Sequence, residues 1–300
     1  MKAMAGVFVV LAGMAHTGST AGAAVATAPG TVSFDSADGK VKLSGYLYLP
    51  DARAWPGPRP AIVLLHGRSG LHRAGASRFD AATLGSRTTL WGNFWADRGY
   101  IGLYVDSFGP RGFPRGFEAG TNRNGGRPAE VNEITVRPHD ANMALQFLRQ
   151  RGDVRKDQVF LQGWSNGGSA TLSAMATNTV VMDKPTVSSG FRAAIAVYPA
   201  CNMVARRYGE DYRPYAPLLL LIGTDDEEVS YARCEQLAAA SRDAGGDLEF
   251  VRYPGAQHSY DTPTAKRQGL AANAEAAADT KVRAEAFFGR YIQPAKSSAK

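Results

Sequence analysis

Three hundred residues with 44% hydrophobic and 20% charged side chains suffice to bury one sizeable core and exclude a disordered or fibrous chain. The net charge of +7 arises from scattered Lys and Arg. No basic helix interleaved with aromatics is present, so a solvated basic surface is expected, with no nucleic-acid partner.

The chain begins with Met1-Lys2, an apolar stretch from Gly6 to Ala15 too short to span a bilayer, and small residues through Ala28. This is the layout of a secretory signal peptide over residues 1–26, with small-x-small cleavage patterns at Ala21-Gly22-Ala23 and Ala24-Val25-Ala26. A periplasmic or secreted protein follows, without stable membrane insertion once the leader is cut. Cys201 and Cys234 lack metal-ligand spacing, and in an oxidising compartment they are expected as a disulfide.

Thr31–Ser36 and Lys42–Leu49 alternate apolar and polar residues around Ala37-Asp38-Gly39 and read as an antiparallel hairpin. Ala61–Leu65, Ile101–Val105, Val159–Leu161, Ala193–Val197 and Leu218–Ile222 are continuously apolar, as strands covered on both faces should be; Leu248–Tyr253 closes the series. Helical spacing occupies Ala81–Arg98, Asp140–Arg151, Gly168–Thr177, Tyr231–Arg242 and Thr280–Tyr291. The expectation is an α/β fold over residues 30–293, an eight-stranded and mostly parallel sheet with helices on both faces, followed by a polar tail at 294–300. Ligands of such sheets bind outside the carboxyl ends of the strands. The segment Ser107–Arg137 breaks the pattern with its glycines and prolines. It leaves the end of the fourth strand, where it could wall a pocket.

At the end of the fifth strand stands Gly163-Trp164-Ser165-Asn166-Gly167, a Gly-x-Ser-x-Gly between an apolar run and a helix. Composition alone gives this pattern roughly 0.2 times in such a chain, so the pentapeptide needs its context. A serine hydroxyl becomes a useful nucleophile only on a sharp turn beside a base. Of the five histidines, His258 lies in the loop immediately after the last strand, where imidazole could take and return the serine proton. His66 reads as structural. Gly223-Thr224-Asp225-Asp226-Glu227-Glu228 follows the seventh strand and supplies the carboxylate that would orient His258. Asp226 is the first choice and Asp225 the second, with both glutamates taken as surface charges. The chain order Ser165, Asp226, His258 matches this arrangement. An oxyanion needs two N–H donors, expected from the backbones of Asn166 and of Arg68 in Leu64-Leu65-His66-Gly67-Arg68. Arg111 and Arg115 on the long segment, with Trp164 beside the nucleophile, are candidate substrate contacts.

Together these stretches, with Asp106-Ser-Phe-Gly-Pro-Arg-Gly112 and Tyr253-Pro-Gly-Ala-Gln-His258, resemble the dienelactone hydrolase family of the α/β-hydrolase fold over Val41 to Tyr291. The resemblance implies Ser165 as nucleophile, Asp226 as acid and His258 as base, with no cofactor or metal. Family members that open dienelactones use cysteine where this chain has serine, which points to a general carboxylic-ester hydrolase.

The leading expectation is therefore an exported serine hydrolase acting on a small-molecule ester or lactone through an acyl-enzyme. A prolyl-type peptidase would use the same relay, but nothing in these residues reads as a propeller-like domain. A non-catalytic binding module would retain the fold without turnover; a full set of triad residues argues against it. Oligomeric state is left open by the sequence.

Overall fold

The strands predicted from alternation and from apolar runs join in one sheet. The computed structural model describes residues 28–121, 126–209 and 211–293, so the expected signal peptide at 1–26 and the polar tail at 294–300 lie outside the described residues. β1 (Gly30–Asp35) and β2 (Lys42–Tyr48) form the expected antiparallel hairpin, and β2 also runs antiparallel to β4 (Ile101–Asp106). β3 (Arg59–Leu65), β4, β5 (Val154–Trp164), β6 (Ala194–Val197), β7 (Leu218–Gly223) and β8 (Leu248–Tyr253) pair in parallel, in the order β1-β2-β4-β3-β5-β6-β7-β8.

Consecutive residues Ala61–Leu65 and Leu220–Ile222 are all fully buried, so both faces of the central strands are covered. Each such aliphatic side chain contributes about 1.5–3 kcal/mol through burial. At the edge, by contrast, Phe34 is the one buried side chain of β1, stacked on Phe147 at a centroid distance of 5.3 Å.

The helices are α1 (Ser86–Ala96), α2 (Arg137–Gln150), α3 (Asn166–Met175), α4 (Cys201–Tyr208), α5 (Tyr231–Asp243), α6 (Ala265–Gln268) and α7 (Ala271–Gly289). The single helix expected over Ala81–Arg98 divides into a short turn at Ala81–Thr83, capped by Asp80, and α1. α7 begins at Ala271 rather than Thr280, because its alanine-rich first turns are helical by propensity and carry little apolar periodicity. α4 and α6 are short and have no counterpart among the expected helices.

The long segment after β4 folds back onto the loop after β3. Phe117 donates its N–H to the Arg68 carbonyl at 2.8 Å. Gly116 has φ +64°, and a Cβ there would lie 2.3 Å from the Ser69 carbonyl carbon, so the contact requires glycine.

Cys201, the first residue of α4, is bonded to Cys234 of α5 with a Cα–Cα distance of 5.0 Å. The bridge ties the helix after β6 to the helix after β7, across a sequence separation of 33 residues. A loop of that length, held closed in the unfolded chain, stabilises the fold by about 3–4 kcal/mol. The double variant Cys201→Ser/Cys234→Ser is expected to melt about 6–14 °C lower in a calorimetric scan. A change under 2 °C would show on the same scan that the bridge carries no such load.

Candidate active site

The sharp turn at the end of β5 is made by Ser165 itself, at φ 52° and ψ −114°. A non-glycine residue pays for positive φ, so the position must be held by its surroundings. Its N–H donates to the Val197 carbonyl at 2.9 Å, and its carbonyl accepts from Ser169 at 2.9 Å as α3 begins. Gly167 is needed because a Cβ there would stand 2.1 Å from the Leu65 carbonyl oxygen.

Three loops at the carboxyl ends of strands converge on this turn. His258, on the loop after β8, places Nε2 3.0 Å from Ser165 Oγ. Its Nδ1 lies 2.8 Å from Asp226 Oδ2, on the loop after β7, and both side chains are almost wholly buried. The second Asp226 oxygen accepts N–H groups of Glu228 and Val229, each at 2.9 Å. Asp225 points elsewhere: it is exposed and accepts from Thr224 Oγ1 at 3.0 Å. The imidazole is thus held as the Nδ1–H tautomer, leaving Nε2 free to accept the serine proton.

The Gly67–Arg68 peptide is set by His66. Gly67 O accepts His66 Nδ1–H at 2.7 Å and the Gly70 N–H at 3.2 Å, so the trans peptide turns the Arg68 N–H the opposite way. This loop adjoins Ser165, since a Cβ at Gly67 would lie 3.7 Å from Ser165 Cβ. Asn166 opens α3, and its N–H has no intrahelical acceptor.

His66 accepts the Ser107 N–H on Nε2 at 3.4 Å. Its burial, reinforced by the nearby Arg137 cation, pushes its pKa well below the ordinary histidine value. The unfolded chain therefore binds a proton here that the native chain excludes, and stability falls as pH drops through about 6.5 toward that lower pKa. His72, also lowered chiefly by burial, acts in the same window. Thermal melts of wild type and His66→Gln should separate the two: the variant is expected to lose up to about 1.4 kcal/mol less per pH unit below 6.5. Parallel pH dependences would remove His66 from the account.

The loop carrying His258 is fastened at both ends. Glu227 Oε2 accepts the His258 N–H at 2.8 Å, and Glu227 Oε1 pairs with Arg267 at 2.9 Å. Burial alone would raise the Glu227 pKa, but these bonds outweigh it and hold the carboxyl below its usual range. Three residues beyond His258, the buried Asp261 accepts Trp91 Nε1–H of α1 at 2.8 Å and the Tyr198 hydroxyl, with Arg87 Nε at 3.2 Å. The Tyr198 ring meets the His258 ring edge-on, with centroids 4.8 Å apart.

A cavity of about 1190 Å³ opens over Ser165, lined by Asn166, Arg68, Glu118, Arg127, Glu228 and Arg206 among others. The long segment after β4 supplies one wall through Glu118–Thr121, Arg127 and Glu133. The three expected substrate contacts do not line it. Arg111 is spent in a buried two-bond pair with Asp140, at 2.8 Å for each bond. Arg115 bonds the Ala76 carbonyl at 2.9 Å and lies over Phe79. Trp164 is buried among Trp91 and Tyr104, because its side chain alternates away from the turn into the core.

Sequence reasoning also passed over several residues that meet here. Glu227 and Glu228 are exposed, as expected of surface charges, yet Glu227 also accepts the His258 N–H and Glu228 lies 3.6 Å from its ring. Arg137 is wholly buried, donates to Asn166 Oδ1 and stacks over Phe108 at 5.0 Å. Burial brings its pKa down to about 9, against the pull of Asp140 and Glu133. One visible clue was the run of four acids in a chain only 20% charged; Arg137, at the end of the irregular segment, had none.

Among curated proteins, the chain is 26% identical to dipeptidyl aminopeptidase BIII of Pseudoxanthomonas mexicana over 77% of its length, and 26% identical to human dipeptidyl peptidase 8 over 79%. It spans about a third of those relatives, 35% and 27% of their lengths. Among solved structures, a dienelactone hydrolase-type protein of Klebsiella pneumoniae superposes with TM-score 0.63 at 18% identity, covering 87% of this chain and 100% of that one. Thermogutta terrifontis esterase 2, phosphorylated by paraoxon, gives 0.60 at 19% identity, covering 90% and 97%. These likenesses share the α/β-hydrolase fold. The profile of the dienelactone hydrolase family matches residues 43–292, which takes in the serine turn, the acid loop and the histidine loop, and the chain belongs to that family.

Proposed function

We propose that this protein is a serine hydrolase of small carboxylic esters or lactones, working through an acyl-enzyme. The observation that carries the reading is the continuous relay from Ser165 Oγ to His258 at 3.0 Å and on to Asp226 at 2.8 Å. Ser165 attacks the carbonyl carbon while His258 Nε2 takes its proton; the Arg68 and Asn166 N–H groups receive the oxyanion; His258 returns the proton to the leaving oxygen. Water then releases the acid by the same steps in reverse order. The disulfide supports the expectation of an exported protein, since such bonds persist in oxidising compartments. Among the described residues no helix is long and apolar enough to cross a membrane.

A fluorophosphonate probe should attach to Ser165, located by peptide mass spectrometry. Folded protein that takes no label would refute the proposal. The dipeptidyl peptidase relatives favour a second reading, a peptidase on the same relay, of which the prolyl type is the alternative weighed from the sequence. Comparing p-nitrophenyl acetate with Xaa-Pro p-nitroanilides decides between them, because only a peptidase would prefer the amides.

A further inference from the structure

His258 stands between two carboxylates, one at each ring nitrogen. Asp226 occupies the Nδ1 side at 2.8 Å, while Glu228 Oε2 lies 3.6 Å from Nε2, the nitrogen that faces Ser165. Both acids belong to one turn, since the Glu228 N–H donates to Asp226 Oδ1 at 2.9 Å. The other Glu228 oxygen is 2.8 Å from the guanidinium of Arg68, whose backbone lies in the loop after β3. An exposed ion pair of this kind would contribute little. This one is only 24% and 27% exposed, crosses the cleft between two site loops, and lines the cavity.

A bare carboxylate beside a forming oxyanion would oppose acylation. Arg68 neutralises it, leaving Oε2 as a fixed acceptor near Nε2. A gap of 3.6 Å is too long for a good direct hydrogen bond, but one water can reach both atoms at about 2.8 Å.

We infer that Glu228, held by Arg68, is a positioning residue for the water that hydrolyses the acyl-enzyme, an inference resting on the ester-hydrolase reading above. In that step the water oxygen bonds to the acyl carbon and one of its protons passes to His258 Nε2. Its second proton stays on the new hydroxyl, hydrogen-bonded to Glu228 Oε2. The carbon–Oγ bond then breaks, His258 returns its proton to Ser165 Oγ, and the carboxylic acid departs. Glu228 thus recognises a nucleophile with two protons. An alcohol has one, which Nε2 requires, so its alkyl group must face the carboxylate.

The test is the fate of the acetyl-enzyme formed from p-nitrophenyl acetate, with methanol added to compete with water. Glu228→Met removes the acceptor, and Arg68→Met/Glu228→Met removes it without changing net charge or either backbone N–H. Both are expected to slow deacylation about tenfold and raise the ratio of methyl acetate to acetate by a similar factor. Acylation, read from the stopped-flow burst of each variant, is the reference against which the tenfold loss in deacylation is measured. An unchanged product ratio overturns the inference, whether the rates hold steady or fall together as a structural role would make them. Wild-type protein that takes no fluorophosphonate label fails at the ester-hydrolase reading itself, and the water site falls with it.

Discussion

Ser165→Ala is expected to lower kcat for p-nitrophenyl acetate by about a millionfold, the scale on which losing the nucleophile of such a relay acts. The remaining groups cannot replace it. His258 would still face the cavity and the N–H donors would still polarise a carbonyl, which leaves a residual rate above that of water alone. His258→Ala should cost about as much, and the double variant little more, because the pair acts as one unit. The turn itself should persist, since alanine tolerates the φ of 52° about as well as serine does and the Val197 contact is a backbone one. A fall of less than tenfold, in protein with an unchanged melting temperature, would place the chemistry elsewhere.

Asp226→Asn should cost about 10⁴ in kcat with the fold intact. The reason is specific to this loop. One Asp226 oxygen is committed to the N–H groups of Glu228 and Val229, so asparagine keeps its carbonyl there and turns its amide NH₂ toward His258 Nδ1. Two donors cannot face each other; the ring takes the Nε2–H tautomer, and the base is lost for Ser165. Asp225→Asn, a change of the same chemistry one residue earlier on an exposed side chain, should leave kcat within about twofold. Equal losses in the two variants would contradict the assignment.

Much of this was legible in the chain because the parallel strands are buried on both faces and therefore read as unbroken apolar runs. Their carboxyl ends then locate the loops, so Ser165, Asp226 and His258 could be named from order alone and are brought together in space. The arginines show where that reasoning stops. Arg111 and Arg115 stand on the loop that walls the cavity, yet Arg111 turns inward to Asp140 on α2, a partner no local pattern announces. Glu227 and Glu228 are exposed as expected, but their partners were not foreseen. Exposure is the ordinary fate of adjacent acids, and only the meeting of loops far apart in sequence gives them partners. The start of α7 was hidden for a third reason, since alanine forms helix without leaving an apolar stripe.

Asp261 has a thermal consequence. By receiving Trp91 of α1 and Tyr198 at the end of β6, it makes the histidine loop part of the same cooperative unit as the sheet. Its amides should then exchange with deuterium only when the whole domain opens. Heating should accordingly end turnover and tertiary structure in one step, with no temperature range in which a folded protein has already lost its base.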